Sequence, residues 1–454
     1  MNVVIFGAGP MPSEPHFAVT APGSRTWQIV RTVAQGMRLV NDMGTPPHIT
    51  ILGLEGQPRT TGEVTVSVEI PVGKGPGLLG TYIPLTLEQF RDAGVSGRAG
   101  AVAMPEEVHA VVGTASVQPY SSASSFANLR NAPLWIDVFG DPLTEMQTQA
   151  DLHRDEEEAN GQRCVHSWKL LLDSLLRGDV FSALSERQRF ALLGELGAAG
   201  RLNQFTARDN MVHAIPFGLF PDEVPHLSST GRKGAGATFT VMWCGSFNTW
   251  MDVDVLLNGF LQASHGNPRL RLMVVGGRIS GYNDASYDRF VEGVRKANAE
   301  SIVQLMDWQP LGRMRELYAS CDVGLSIDRF SYEAVLGSRT RIINFLAAGK
   351  PVMSTIVTEL TEDLADKGYV MPLTPGSSDE FAKSIENAAL RATELAELGQ
   401  EGQAYVLARY DARLLGQVLS DWISHPVRSP DHDVANAPNP LVQYWERVRA
   451  PLGD

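Results

Sequence analysis

Twice along this chain of 454 residues, a short run of β-branched and aromatic residues stops at glycine: Asn2 to Phe6 ends at Gly7-Ala8-Gly9-Pro10, and Phe239 to Trp243 runs through Cys244 into Gly245-Ser246. A continuous apolar run of that length reads as a strand buried on both faces, and glycine lets the chain turn sharply out of it. Helical spacing follows each run. Trp27, Val30, Val33, Ala34, Met37 and Val40 recur on one face within Arg25 to Asn41, and His48 to Leu54 returns as a strand. In the second series the helix is Asp252 to Ala263, and the next strand, Leu270 to Val275, ends at Gly276-Gly277. Parallel neighbours need a crossover, so strands alternating with helices predict parallel α/β sheets.

Further strands are predicted at Val64 to Ile70, Glu107 to Val112, Pro133 to Val138, Val180 to Leu184, Val303 to Met306, Asp322 to Ile327 and Pro351 to Ser354. Helices are predicted at Ser185 to Leu202, Gly312 to Ser320, Arg339 to Ala348, Ser378 to Leu395 and Asp411 to Ile423. The length suits two large domains. Between the two series, SSTGRKGAGAT near residue 230 reads as a linker. The expected division is a doubly wound, Rossmann-like domain over residues 1–228 and a second over 237–425, with the tail 426–454 packing back on the first as a terminal helix. Two such sheets in tandem set the carboxyl ends of their strands around an interdomain crevice, the usual ligand site of open α/β sheets.

Charge and composition exclude several functions. With 38 basic against 51 acidic residues the net charge is −13, the wrong sign for a phosphate-backbone binder, so no nucleic-acid partner is expected. Cys164, Cys244 and Cys321 are far apart and lack CxxC spacing, which suits a reducing cytoplasm. No stretch is long and apolar enough for a transmembrane span. Without HExxH or paired histidines, no metal site is expected. GAGPMP lacks the third glycine of GxGxxG and places Pro10 and Pro12 where a helix should start, so a nicotinamide cofactor is not expected either.

The most informative segment is Asp322 to Thr355, DVGLSIDRFSYEAVLGSRTRIINFLAAGKPVMST: a strand, a charged loop, the Gly337-Ser338 turn, a helix carrying Arg339 and Arg341, and then Gly349-Lys350-Pro351-Val352. It resembles the donor-sugar signature of retaining glycosyltransferases of the GT-B fold, especially family 4. Trp243-Cys244-Gly245-Ser246-Phe247, Val274-Val275-Gly276-Gly277, Asp307-Trp308-Gln309-Pro310 and Ala214-Ile215-Pro216-Phe217-Gly218 are similar to other stretches of that family. The resemblance covers residues 210 to 425; before that it is one of fold only.

That resemblance implies two Rossmann-like domains, a nucleoside diphosphate sugar as donor and transfer with retention; a small soluble acceptor is expected because no basic amphipathic helix is seen, and no cofactor or metal is expected because no motif announces one. A homo-oligomer is compatible with it. Two departures stand out. Counted back from Gly349, the family's E-x7-E pair falls on Leu336 and Asn344, and the lysine after the first glycine turn is replaced by Met251 and Asp252. Glu333 is therefore expected to serve as the catalytic carboxylate and Asn344 to bind the ribose diol. Arg339 and Arg341 are expected to balance the diphosphate, because guanidinium forks pair with phosphate oxygens.

Donor contacts are expected from Gly245, Ser246, Phe247, Gly276, Gly277, Gly337 and Ser338, with Trp308 lying against the base or simply filling the core. On the acceptor side stand Gly9, Asp137 and Asp141; each aspartate can meet an acceptor hydroxyl or cap a loop. His109 reads as a buried structural histidine within its strand. An epimerase of the same architecture and a degenerate nucleotide-sugar binder remain as alternatives.

Overall fold

The computed structural model describes residues 1–14, 16–40, 46–55, 65–73, 76–154, 156–224, 238–278, 284–432 and 440–450. The expected linker at 228–237 lies outside them. Two compact units are formed. One comprises Met1–Ser13, Val19–Pro216 and Ala412–Asp454; the other comprises Glu14–Ala18 and Phe217–Asp411.

The first unit is built on strands β1 (Asn2–Ala8), β2 (His48–Leu54), β3 (Val66–Ile70), β4 (Leu78–Leu85), the short pair β5 (Arg98–Ala99) and β6 (Val102–Ala103), β7 (Ala110–Thr114), β8 (Leu134–Val138), β9 (Val180–Ala183) and β10 (Val212–Ala214). Eight of them form one sheet in the order β10-β9-β8-β7-β1-β2-β4-β3, parallel except where β3 meets β4. Every residue of β7 and β8 is buried, as a strand covered on both faces by helices requires. The order reverses between β1 and β7, so the carboxyl ends of these two strands form the unit's switch point.

The second unit has a six-stranded, all-parallel sheet. Its strands are β11 (Phe239–Ser246), β12 (Leu270–Gly277), β13 (Val303–Met306), β14 (Val323–Ser326), β15 (Val352–Thr355) and β16 (Val370–Leu373), in the order β13-β12-β11-β14-β15-β16. Its switch point lies between β11 and β14. Trp243, Phe260, Leu272, Leu325 and Phe381 are part of its core. Asp252 begins helix Val253–Gly266 by accepting a hydrogen bond from the Val255 amide at 3.1 Å.

The doubly wound α/β class read from the sequence is the fold observed. Several elements differ from that reading. Leu78–Leu85 is a full strand although Gly80 and Pro84 interrupt its apolar pattern. Glu107 to His109 lie outside β7, and His109 accepts from the Asn2 amide through Nδ1 at 3.0 Å. The helices Ala412–Leu415 and Gln417–Ser424 lie in the first unit, where Ser420 donates to the Thr32 carbonyl at 2.9 Å and Trp422 packs on Trp135. Helix Pro440–Arg449 sets Trp445 against Trp168 of helix Glu157–Arg177. Ahead of it, Arg201 and Asp431 form a two-armed ion pair buried in the same unit. Among the described residues, no helix is long and apolar enough to cross a membrane, and no group of three or more His, Cys, Asp or Glu is placed to hold a metal ion.

Candidate donor site at the glycine turns of the second unit

The carboxyl ends of β11 and β12 are bent by glycines. Gly245, Gly276 and Gly277 have φ of 116°, 105° and 125°, values that side-chain-bearing residues rarely adopt. Space is equally restrictive: a Cβ on Gly276 would lie 2.7 Å from the Gly245 carbonyl oxygen. The strand ends touch backbone to backbone, and the Phe247 amide closes the turn on the Gly277 carbonyl at 3.1 Å. The Phe247 ring packs among Trp243, Tyr287 and Phe290, so Phe247 offers this turn its backbone while its side chain belongs to the core.

Over this turn lies Arg341, from helix Thr340–Ala347. Its guanidinium carbon sits 3.8 Å from the centroid of the Trp243 ring, and Nη2 reaches the Ser246 carbonyl at 3.5 Å. Nη1 is buried without a hydrogen-bond partner. Burial pushes the guanidinium down to about 10, against the pull of Asp328. A half-buried arginine with a buried, unpaired Nη1, held by stacking above a glycine turn, has the chemistry to receive an anion. Asn344 lies one helical turn further along the same helix and is half-buried.

Arg339 does something else. It stands just ahead of that helix, and its guanidinium is fully enclosed by acids: Nε donates to Asp328 Oδ2 at 2.7 Å, Nη1 to Glu333 Oε1 at 3.0 Å and Nη2 to Glu333 Oε2 at 2.8 Å. Nη1 also reaches the Ser338 carbonyl at 3.2 Å. Burial works against the charge of Arg339, but Asp328 and Glu333 outweigh it and hold its pKa above the usual value. Each nitrogen donates to a protein acceptor, which leaves at most one Nη2 N–H for a phosphate in place of the free fork that the sequence led us to expect. The same geometry pairs both oxygens of Glu333, the carboxylate expected to be catalytic, with Arg339 and buries the residue in an ion cluster. Burial pushes the Glu333 carboxyl up while Arg339 opposes the shift. The short helix Tyr332–Leu336 and Gly337, whose amide donates to the Glu333 carbonyl at 2.7 Å, form the frame of this ion cluster.

Trp308, in the loop after β13, donates through Nε1 to the Arg278 carbonyl just past Gly276-Gly277. It therefore ties the ends of β12 and β13 together, beside the turn that carries Arg341.

The first-unit candidates are structural where the sequence left both roles open. Asp137, on β8, is completely buried. It accepts from Arg25 Nη2 at 2.6 Å and Nε at 2.9 Å, and from the hydroxyls of Ser182 and Thr114, each at 2.6 Å. No lone-pair position faces a ligand. The pattern has a sequence signal, a buried-helix arginine and an in-strand aspartate, but the two are separated by 112 positions, and spacing alone does not connect them. Asp141 caps helix Pro142–Leu152 by accepting from the Thr144 amide at 2.7 Å. Gly9 pairs with the Leu54 carbonyl at 3.0 Å, and a Cβ there would strike the Tyr82 hydroxyl at 1.9 Å.

Residues 238–390 match the family described as Glycosyl transferases group 1. No curated protein sequence matches the chain. Among solved structures, the chain is similar to sucrose-phosphate synthase from Thermosynechococcus elongatus, at 14% identity and a TM-score of 0.63 over 92% of this chain and 96% of that one. It is also similar to Anabaena HepE in complex with UDP-glucose, at 14% identity and a TM-score of 0.59 over 93% and 99%. An E. coli trehalose-6-phosphate structure bound with UDP-2-fluoro glucose gives 11% identity and a TM-score of 0.59 over 94% and 100%. The chain has the GT-B fold, and its second unit carries the signature of the group 1 glycosyltransferases.

Proposed function

We propose that the protein transfers a sugar from a UDP- or GDP-linked donor to a small acceptor with retention of anomeric configuration. One observation supports this reading above the others: the Arg341 guanidinium, stacked on Trp243 with Nη1 buried and unpartnered, over the Gly245-Ser246 turn. Arg341 takes the part of the missing lysine, since a guanidinium fork matches the oxygens of a diphosphate. The amides of the glycine turns and the Arg341 charge stabilise the departing diphosphate. Asn344 meets the ribose diol, and Trp308 and Arg278 border the base. UDP and UDP-glucose are named with HepE, which favours a UDP-linked donor. The acceptor binds the first unit, and no metal or cofactor takes part.

The expected activity is read by mass spectrometry and NMR after incubation with UDP- and GDP-sugars and a pool of small hydroxylated and aminated acceptors. A glycoside with the donor's anomeric configuration supports the proposal. An inverted product overturns retention. Binding of intact donor without any product favours the degenerate binder, a reading to which the locked Glu333–Arg339 pair lends weight.

A further inference from the structure

Five buried polar atoms around the carboxyl ends of β11 and β14 have no hydrogen-bond partner: Trp243 Nε1, Thr249 Oγ1, Ser326 Oγ, Asp328 Oδ1 and Arg341 Nη1. Buried polar atoms are seldom left unpaired, because each costs the desolvation of the group. Their chemistry is divided. Arg341 and Trp243 present only N–H donors, which suit phosphate oxygens. Ionised Asp328 accepts only, and its charge repels phosphate.

Asp328 is held in place from several directions. It is 1% exposed, and Oδ2 is fixed by Arg339 Nε at 2.7 Å. Its amide donates to Thr355 Oγ1 at 2.9 Å, and its backbone bridges Met251. Arg329, the next residue, donates to the Thr249 carbonyl. The ion cluster that occupies Arg339 and Glu333 thus leaves one buried carboxylate oxygen, Asp328 Oδ1, unpaired, on a residue whose charge acts on Arg341.

Resting on the donor reading above, we propose that Asp328 reads the hydroxyls of the transferred sugar through Oδ1, assisted by the Thr249 and Ser326 hydroxyls. It is a specificity-determining residue. The part of a nucleotide sugar that neighbours the diphosphate and offers hydroxyl donors is the sugar, and the unpaired oxygen belongs to a carboxylate whose charge is felt by Arg341.

The test is calorimetric, on the full chain, with UDP, GDP, UDP-glucose, UDP-N-acetylglucosamine and GDP-mannose. For the best-bound pair, Asp328→Asn is expected to weaken the nucleotide sugar about tenfold and to leave the free nucleotide within twofold. Glu333→Gln, which loosens the same Arg339 without touching Oδ1, is expected to spare the sugar increment. Thr249→Val, nearly isosteric, is expected to lose about threefold on the sugar alone, and it answers the question if Asp328→Asn fails to fold. Equal weakening of nucleotide and nucleotide sugar, an equal loss in Glu333→Gln, or an unchanged sugar increment in the aspartate and threonine variants overturns the assignment. Wild-type protein that binds no nucleotide overturns the donor reading itself, whereas one that binds nucleotide with no sugar increment overturns only the role of Asp328.

Discussion

Replacing Asp137 with alanine separates a structural carboxylate from an acceptor-binding one. In the native chain its two oxygens accept four hydrogen bonds, two from Arg25 and one each from Ser182 and Thr114, with neither ion exposed. Removing the carboxylate strands the Arg25 guanidinium in the interior. Its remaining acceptors are neutral: Gln28 Oε1 at 2.9 Å, the Ile215 carbonyl at 2.9 Å and the Pro216 carbonyl at 3.2 Å. Removing one partner of a buried ion pair costs about 3–5 kcal/mol. For a unit of this size each kcal/mol moves the midpoint by roughly 2–4 °C, so the first unit's transition should fall by about 6–20 °C. Scanning calorimetry reads that shift, and titration of the nucleotide should show affinity within twofold of wild type. An Asp137→Ala protein that keeps its transition temperature but loses turnover would contradict the structural role and return Asp137 to the acceptor.

Three other expectations follow from the same geometry. Arg341→Met keeps an apolar stem over Trp243 but removes the fork, so nucleoside diphosphate affinity should drop at least about tenfold, the loss of one hydrogen bond to a charged group; an unchanged titration would take Arg341 out of the site. Gly276→Ala places a Cβ 2.7 Å from the Gly245 carbonyl at a φ of 105°, and should destabilise the second unit by about 1–3 kcal/mol, read as a lower urea midpoint. Glu195 is pushed up to about 9, first by burial and then by Asp141, from an ordinary 4.5. Because the folded state keeps this proton longer than the unfolded chain, stability falls as pH rises from 4.5 to 9, by up to about 1.4 kcal/mol per unit. Glu195→Gln should flatten that slope in urea titrations between pH 5 and 9, and parallel slopes would refute the raised Glu195 carboxyl.

Much of the fold was readable from the chain because its strands are apolar runs closed by glycine: Asn2–Ala8, His48–Leu54 and Leu270–Gly277 carry their own punctuation. Leu78–Leu85 lacks it. Gly80 and Pro84 look like breakers, yet the strand pairs along both edges, with β2 and β3. At the site, the glycine turns and Arg341 could be picked out because each is a local departure in a recognisable stretch. The roles of Arg339 and Glu333 could not, since a charged residue two positions from Arg341 reads alike whether it faces phosphate or is enclosed by acids. That choice is made by Asp328, at the end of another strand. Asp137 follows the same logic, because its meaning lies in Arg25 and Ser182, which only folding brings to it.

On the proposed reading, the second unit grips a nucleoside diphosphate through Arg341. The most direct test is a metal-free calorimetric titration of the full chain and of Arg341→Met with UDP, GDP, dTDP and NAD. Saturable binding of one diphosphate in preference to the others and to NAD is expected, weakened at least about tenfold by the substitution. Binding of NAD alone, binding of none of the four, or equal affinity in both proteins would contradict it.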